Sequence, residues 1–326
     1  MHASYIKYQT LLLLLFGTVV NAQNITIDNT KTPEQLVRDL FTTESCVEPL
    51  NVSITGWDFG NGEKSYAWFN SNSSGFPLGQ GLIISTGRAS SAVGPNTTLL
   101  SEGPTNWPGD SNLEQAIGES NTINATIVEF DFVSVTNYMS FNYIFSSEQY
   151  LSNPNSNQCN YSDGFALLIR KSTNFNYQNL GVVPETTIPV KVTTVRGPGT
   201  ICPPANVEYF DAFNGSNHPT NYNGQTTIMN AEADIEPGVT YHVKLVIADQ
   251  GNNLYDSAIF IGGNTFTNDY AMGDDRLIAD GNPLCPGETL TISPDYTVPG
   301  TLGYTWYKDG NPIPGYINVS SPTYTI

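Results

Sequence analysis

The chain has 326 residues, with 30 acidic residues against 12 basic ones and a formal net charge of −18 at neutral pH. A chain this acidic is repelled by the phosphates of nucleic acids and by anionic membrane surfaces, so we exclude both as partners. The content of 29 Gly, 21 Pro and 18 Tyr favours short strands joined by turns, and it predicts an all-β protein.

The first 22 residues have the layout of a secretory signal peptide. Lys7 lies in a short polar start, and the apolar run LLLLLFGTVV covers residues 11–20 before a small-residue cleavage site. This run is shorter than the roughly 20 residues that span a bilayer. We therefore expect residues 1–22 to be removed, the mature chain to start at Gln23, and the protein to be secreted or displayed on a bacterial cell surface. We expect no transmembrane span elsewhere.

One segment, residues 32–41 with the sequence TPEQLVRDLF, has the signals of a short helix. Thr32 is a typical N-cap residue, and Pro33 suits the first helical position. Leu36, Val37, Leu40 and Phe41 would form one apolar face, so we expect this helix to close one end of a sandwich.

The rest of the first 267 residues is patterned as strands. Residues 125–133 and 138–145 alternate apolar and polar side chains, and the short turn between them predicts an antiparallel hairpin. The other strand candidates are residues 51–57, 81–86, 164–169, 188–195, 226–234, 241–248 and 257–261. Strands separated by Gly, Pro and Asn clusters predict a β-sandwich or jelly-roll domain over residues 23–267.

A change of pattern follows this domain. Residues 268–283 are polar and rich in Asp and Gly, which is typical of a linker. Residues 284–326 then show a Cys near a first strand, and Trp306 in a strand before a Lys-Asp-Gly turn, which resembles the opening half of an immunoglobulin-like module. We expect the remaining strands of that module to lie beyond residue 326.

Four cysteines occur in a chain that we expect to be secreted, where disulfides are permitted. Cys159 and Cys202 both lie in loop-like sequence, and we predict that they pair with each other. Cys285 is expected to have a partner beyond residue 326, which leaves Cys46 free or buried. A zinc site is disfavoured because no CxxC or close Cys/His spacing occurs.

Two predicted loops carry carboxylates next to strands. Asp249 and Asp256 flank the polar loop between two apolar runs, while Glu148 and Asp163 flank the loop that contains Cys159. Calcium binds six to eight oxygens from such carboxylates, amides and carbonyls. The four acids are therefore a candidate calcium site if the two loops share an edge. The alternative is that each acid caps a turn by accepting backbone N–H groups.

Aromatic residues indicate a second kind of site. Trp107, Tyr150 and Tyr161 lie in or beside Gly- and Asn-rich loops, where flat rings could stack on sugars while nearby amides bind hydroxyl groups. These three residues are candidate glycan contacts. The alternative is that the rings fill the core.

Catalytic motifs are missing from the sequence. There is no GxSxG nucleophile elbow, no HExxH zinc helix and no phosphate-binding glycine loop. Glu129 and Asp131 are a carboxylate pair of the kind used in glycoside hydrolysis, but their spacing places both on the wet face of one strand. We expect a protein that is not an enzyme.

A succession of short motifs also resembles a known family. The motifs are GLIISTGRASSAVGPN (81–96), GDSNLEQAIG (109–118), FNYIFSSEQY (141–150), SDGFALLI (162–169), YFDAFNG (209–215) and VTYHVKLVIADQGNNLYDSAIFIGGNTF (239–266). In this order they resemble the choice-of-anchor L domain of bacterial secreted and surface proteins. The resemblance implies envelope anchoring through a C-terminal region, often a type IX secretion sorting domain after immunoglobulin-like repeats. The family motif SEEY has two adjacent acids, whereas this chain has Glu148 and Gln149.

The sequence therefore predicts a secreted or cell-surface adhesion or ligand-binding module, with calcium as the candidate cofactor. The expected partner is an extracellular glycan or a surface protein. The alternatives are a structural spacer without a ligand and a carbohydrate-active enzyme.

Overall fold

The structure is a computed structural model that describes residues 23–41 and 47–266, together with 291–292, 303–308, 310–320 and 323–325. The described residues contain two α-helices, α1 (Pro33–Arg38) and α2 (Ser111–Ile117). The strands are β1 (Thr26–Asp28), β2 (Leu50–Thr55), β3 (Asp58–Gly60), β4 (Glu63–Lys64), β5 (Tyr66–Asn70), β6 (Gln80–Ser85), β7 (Thr122–Val133), β8 (Tyr138–Ser147), β9 (Gly164–Lys171), β10 (Gln178–Asn179), β11 (Phe210–Phe213), β12 (Gly224–Thr226), β13 (Met229–Asp234), β14 (Thr240–Gln250), β15 (Ser257–Gly262), β16 (Thr291–Ile292), β17 (Tyr307–Lys308), β18 (Asn311–Pro312) and β19 (Tyr324–Thr325).

Two antiparallel sheets form the architecture, which confirms the all-β prediction. The eight-stranded sheet runs in the order β1-β5-β6-β15-β8-β12-β11, and β13 pairs with another part of β8. The five-stranded sheet runs in the order β10-β9-β14-β7-β2. Three two-stranded pairs complete the described strands: β3 with β4, β16 with β19, and β17 with β18.

The main core lies between the two sheets. Alternate residues of each strand point to opposite faces, so one series of β14, namely Tyr241, Val243, Leu245 and Ile247, packs with Val128, Phe130 and Phe132 of β7. The opposite series of β14, which includes Val246 and Ala248, packs under Leu113 and Ile117 of α2. Both faces of β14 are therefore buried from Leu245 to Ala248, which explains why this part of the strand is continuously apolar.

Helix α1 forms within the segment for which the sequence predicted a helix, and its Leu36 and Val37 are buried in the main core. Thr32 accepts a hydrogen bond from the Gln35 backbone N–H, and the Gln35 side chain accepts one from the Thr32 backbone, which completes a capping box. Beyond the helix, the Phe41 ring packs against Phe266 with 4.2 Å between ring centroids.

The predicted hairpin of residues 125–133 and 138–145 is wrong in its pairing. Both strands exist as β7 and β8, but β7 pairs with β2 and β14 in one sheet, while β8 pairs with β12, β13 and β15 in the other. The apolar faces of β7 and β8 instead meet across the core. Each of the two strands thus buries its apolar face against the opposite sheet, although the strands are not neighbours within one sheet.

The structure also differs from the sequence-based expectations at two other places. Residues 188–195 form turns and isolated bridges, in which the Val195 and Thr194 backbone N–H groups both bond to the Lys191 carbonyl. Helix α2 was not predicted, although Asp110 caps its N-terminus and Gly118 ends it in a left-handed conformation with φ of 68°.

The predicted disulfide between Cys159 and Cys202 is present and joins two loops. The signal peptide, the linker, Cys46 and Cys285 lie outside the described residues. Near β17, the centroids of the Trp306 and Tyr324 rings lie 5.4 Å apart. That this region belongs to an immunoglobulin-like module stays a prediction. Among the residues that the structure describes, no helix is long and apolar enough to cross a membrane.

Candidate functional site

Four acids lie where strands begin or end at one end of the sandwich. Glu148 directly follows β8 and Asp256 directly precedes β15, and the Glu148 backbone N–H donates to the Asp256 carbonyl at 3.0 Å. Asp163 directly precedes β9, and Asp249 lies near the end of its partner β14. The first pair belongs to the eight-stranded sheet and the second to the five-stranded sheet.

Ser257 connects the two pairs across the sandwich. Its hydroxyl oxygen lies 2.8 Å from an Asp163 carboxylate oxygen and 2.8 Å from the Ser147 hydroxyl. Glu148, Asp163 and Asp249 have no exposed surface, and Asp256 is 1% exposed. The fold therefore brings together and buries the four acids that the sequence had identified, although they come from separate strands.

The position of Asp249 follows from the alternation of β14. It has the same parity as the core residues Leu245 and Ile247, so a carboxylate continues the inward-facing apolar series. The register between β14 and β7 shifts at this point, between Ile247 and Asp249. On β7 the shift includes Asn124, whose φ of 54° is typical of a bulge.

Two of the four carboxylates are well supplied with donors. Asp256 accepts the Glu102 backbone N–H at 2.9 and 3.1 Å, and Asp163 accepts the Gln250 backbone N–H at 2.9 Å besides the Ser257 hydroxyl. Gln149, where the family motif has a second acid, accepts the Asp163 backbone N–H at 3.2 Å. A neutral amide therefore stands beside the cluster where another negative charge would stand.

The other two carboxylates are less well satisfied. Neither carboxylate oxygen of Asp249 has a hydrogen bond of good geometry, although the side chains of Thr86 and Asp163 lie close enough to act on its pKa. Glu148 accepts the Leu100 backbone N–H at 2.9 Å through Oε1, while its Oε2 has no partner. A buried, unpaired carboxylate oxygen costs the free energy of its lost hydration, on the order of a few kcal/mol. These three oxygens are thus the least satisfied atoms of the cluster.

The pKa values of the cluster are raised mainly by burial. Burial raises the pKa of Glu148 to about 7 and that of Asp163 to about 7. The pKa values of Asp249 and Asp256 are well above the usual value, because of burial first and then of repulsion by neighbouring carboxylates. At neutral pH the cluster therefore needs protons or a cation to offset its charge.

The described residues offer little countercharge. The ion pairs found among them do not include any of the four acids, although Arg88 lies 4.0 Å from the neighbouring Glu102. Within the described chain, no three acid, His or Cys side chains are already arranged around one metal position.

The predicted glycan platform does not form. Trp107 is 2% exposed and donates its indole N–H to the Ala125 carbonyl at 2.8 Å, while Tyr150 is 1% exposed and packs edge-on against Phe210. Both rings fill the interior and are not available to a sugar. Tyr161 is 39% exposed, but the other two rings do not accompany it at the surface.

Glu129 and Asp131 bind His242 on the outer face of the five-stranded sheet. The His242 Nδ1 lies 2.7 Å from an Asp131 oxygen, and its Nε2 lies 3.4 Å from a Glu129 oxygen. The hydrogen bond to Glu129 is the main reason why the pKa of His242 is raised. The two carboxylates that were considered for glycoside hydrolysis therefore both contact the imidazole of His242.

A comparison with known protein families identifies the family to which this chain belongs. The model of the choice-of-anchor L domain matches residues 23–267, which is more than half of the chain and covers both sheets. No curated protein and no solved structure matches this chain. The chain therefore belongs to the choice-of-anchor L family and is a module of a cell-surface or secreted bacterial protein.

Proposed function

We propose that this domain is a non-enzymatic adhesion or ligand-binding module, and that calcium bound by Glu148, Asp163, Asp249 and Asp256 stabilises it. The observation that carries the proposal is the set of three buried carboxylate oxygens without a hydrogen bond of good geometry, within a cluster of four acids. An ion here would join the ends of β8, β9, β14 and β15, and hence both sheets.

The chemistry of the cluster favours a hard cation. All four side chains offer only oxygen, which is the ligand type that calcium prefers, and backbone carbonyls at strand ends can supply further ligands. Backbone N–H groups already offset part of the charge of Asp163 and Asp256. Two positive charges would match the remaining two carboxylates, Asp249 and Glu148. Magnesium fits less well because it requires a near-ideal octahedron and gives up water reluctantly.

The competing explanation is that protons, and not calcium, neutralise the cluster. Raised pKa values are compatible with both, since a cation displaces protons from the same oxygens. A protonated cluster would give a spacer domain whose stability does not respond to calcium. The two explanations therefore differ in a measurable quantity.

The test is thermal unfolding of the full chain, first freed of calcium and then titrated with calcium or magnesium. A ligand that binds only the folded state raises the unfolding midpoint with concentration, and we expect a rise of several degrees that saturates by millimolar calcium. Asp249→Asn keeps the shape of the side chain but removes the charge, and it should abolish the rise.

The matched control is Glu129→Gln, which removes a carboxylate from the outer face of β7. This variant should respond to calcium like the unchanged protein. A flat midpoint up to millimolar calcium, or an equal rise in Asp249→Asn, would overturn the calcium proposal.

A further inference from the structure

A groove separates the edges of the two sheets, away from the chain segments that carry the acid cluster. It has a volume of about 650 Å³, and its walls include Gln178 and Asn179 of β10 and Asn230 and Glu232 of β13. A second hollow of about 400 Å³ continues along the same two strands and shares Gln178 with the first.

The groove is open because of the lengths and positions of its strands. Strand β10 has two residues and pairs only with β9 among the described strands, and β13 pairs only with β8. In β13 the residues Met229, Ala231 and Ala233 are buried, so the intervening Asn230 and Glu232 face outward. The alternation that completes the core therefore also places polar side chains in the groove.

The side-chain amide of Asn179 is fixed in the wall of the groove. Its side-chain oxygen accepts the backbone N–H groups of Leu167 at 3.2 Å and Gly181 at 2.9 Å, which fixes the orientation of the amide. The Nδ2 of the same amide is buried and has no partner. Glu232 is also held in place, because it accepts the Tyr138 hydroxyl at 2.7 Å.

Two rings lie beside these polar groups. Tyr177 lines the hollows next to β10, and its ring lies 5.2 Å from the Arg170 guanidinium. Phe175, two residues earlier, is 95% exposed and lines a third hollow of about 230 Å³, which shares Asn179 with the groove and Tyr177 with the second hollow. Amides, hydroxyls and carboxylates beside flat rings are what a sugar needs, because its ring faces are apolar and its edges carry hydroxyls.

We propose that the groove between β10 and β13, together with the adjoining hollow that Phe175 lines, binds a neutral oligosaccharide, with Phe175 as a stacking surface and Gln178, Asn230 and Glu232 as hydrogen-bonding groups. Glu185 and Glu232 in its walls, and the net charge of −18, disfavour anionic glycans. This site does not depend on the calcium proposal.

The experiment measures binding of the full chain to an array of neutral oligosaccharides, namely gluco-, manno-, xylo- and galacto-configured chains of four to eight units. Sulfated glycans and a peptide library are included for comparison. We expect binding to at least one neutral series, and at least tenfold weaker binding of Phe175→Ala and Asn230→Ala with unchanged unfolding midpoints.

Tyr161→Ala is the matched control, because Tyr161 is an exposed ring outside the groove. It should bind as the unchanged protein does, and so should Asp249→Asn, which separates this site from the acid cluster. No binding to any neutral probe at millimolar concentration would overturn the proposal. Binding only to sulfated glycans or peptides, or binding that Phe175→Ala and Asn230→Ala leave unchanged, would also overturn it.

Discussion

At the scale of single residues, the acid cluster determines how stability depends on pH. Unfolded Asp and Glu side chains ionise near pH 4. In the folded state, burial raises the pKa of Glu148 and that of Asp163 to about 7, and it raises the pKa of Asp249 well above the usual value of an Asp side chain. Between about pH 4 and about pH 7 the folded protein keeps protons on these side chains that the unfolded chain has lost. The free energy of unfolding therefore falls as the pH rises.

We predict that the calcium-free protein is more stable at pH 5 than at pH 7.5. Each such group lowers the free energy of unfolding by up to about 1.4 kcal/mol for every pH unit in the window. Asp249→Asn removes one of these groups, so its stability should fall less steeply over the same range. Urea unfolding at several pH values measures both slopes, and equal slopes would contradict the prediction.

At the scale of elements, the pairing of β6 with β15 depends on a glycine. A Cβ added at Gly81 would lie 1.8 Å from the Ile261 carbonyl oxygen, and backbone in the middle of a sheet has little room to shift. We predict that Gly81→Ala lowers the free energy of unfolding by about 1–3 kcal/mol, as overpacking does. Gly79→Ala is the control, since no atom lies within 4 Å of its added Cβ. Urea unfolding should show little change for Gly79→Ala, and similar losses in both variants would contradict this explanation.

The disulfide acts on the loops between strands. Cys159 and Cys202 are 43 residues apart in the sequence, so the bond restricts a long segment of the unfolded chain. Replacing both cysteines by serine should lower the free energy of unfolding by about 2–4 kcal/mol. Guanidinium unfolding measures the loss, and adding a reductant to the unchanged protein should reproduce it. A serine variant as stable as the oxidised protein would be inconsistent with this role.

The sequence predicts single strands better than it predicts their partners. Alternation identified β7 and β8, but it carries no information about which strand lies beside which, so the hairpin was wrong. The four acids could be predicted as one site because each adjoins an apolar strand, and several strands of a sandwich end close to one another. Trp107 and Tyr150 were misplaced because Gly- and Asn-rich surroundings do not reveal burial. Phe175 and the β10–β13 groove could not be found, since the groove depends on which edges the sheets leave open.

At the scale of the whole molecule, the net charge of −18 makes the folded state repel itself. Sodium chloride screens this repulsion, so we predict a gradual rise of the unfolding midpoint with salt in the unchanged protein and in Asp249→Asn alike. Calcium at constant ionic strength should act only on the unchanged protein. Thermal scans with sodium chloride or calcium chloride at matched ionic strength separate the two effects. Identical responses to both salts would mean that calcium acts only by screening.

The central position of β15 has a consequence for the order in which the strands pair as the chain folds. This strand lies between β6 and β8, and Ser85 and Ser257 at its pairing with β6 are 172 residues apart. Until residues 257–262 pair with both neighbours, the eight-stranded sheet consists of two separate groups of strands, each with an unpaired apolar edge. Such edges invite pairing with other chains, and contacts this distant in sequence form slowly. The folding chain is thus open to aggregation until β15, a buried strand near the end of the domain, joins the two groups.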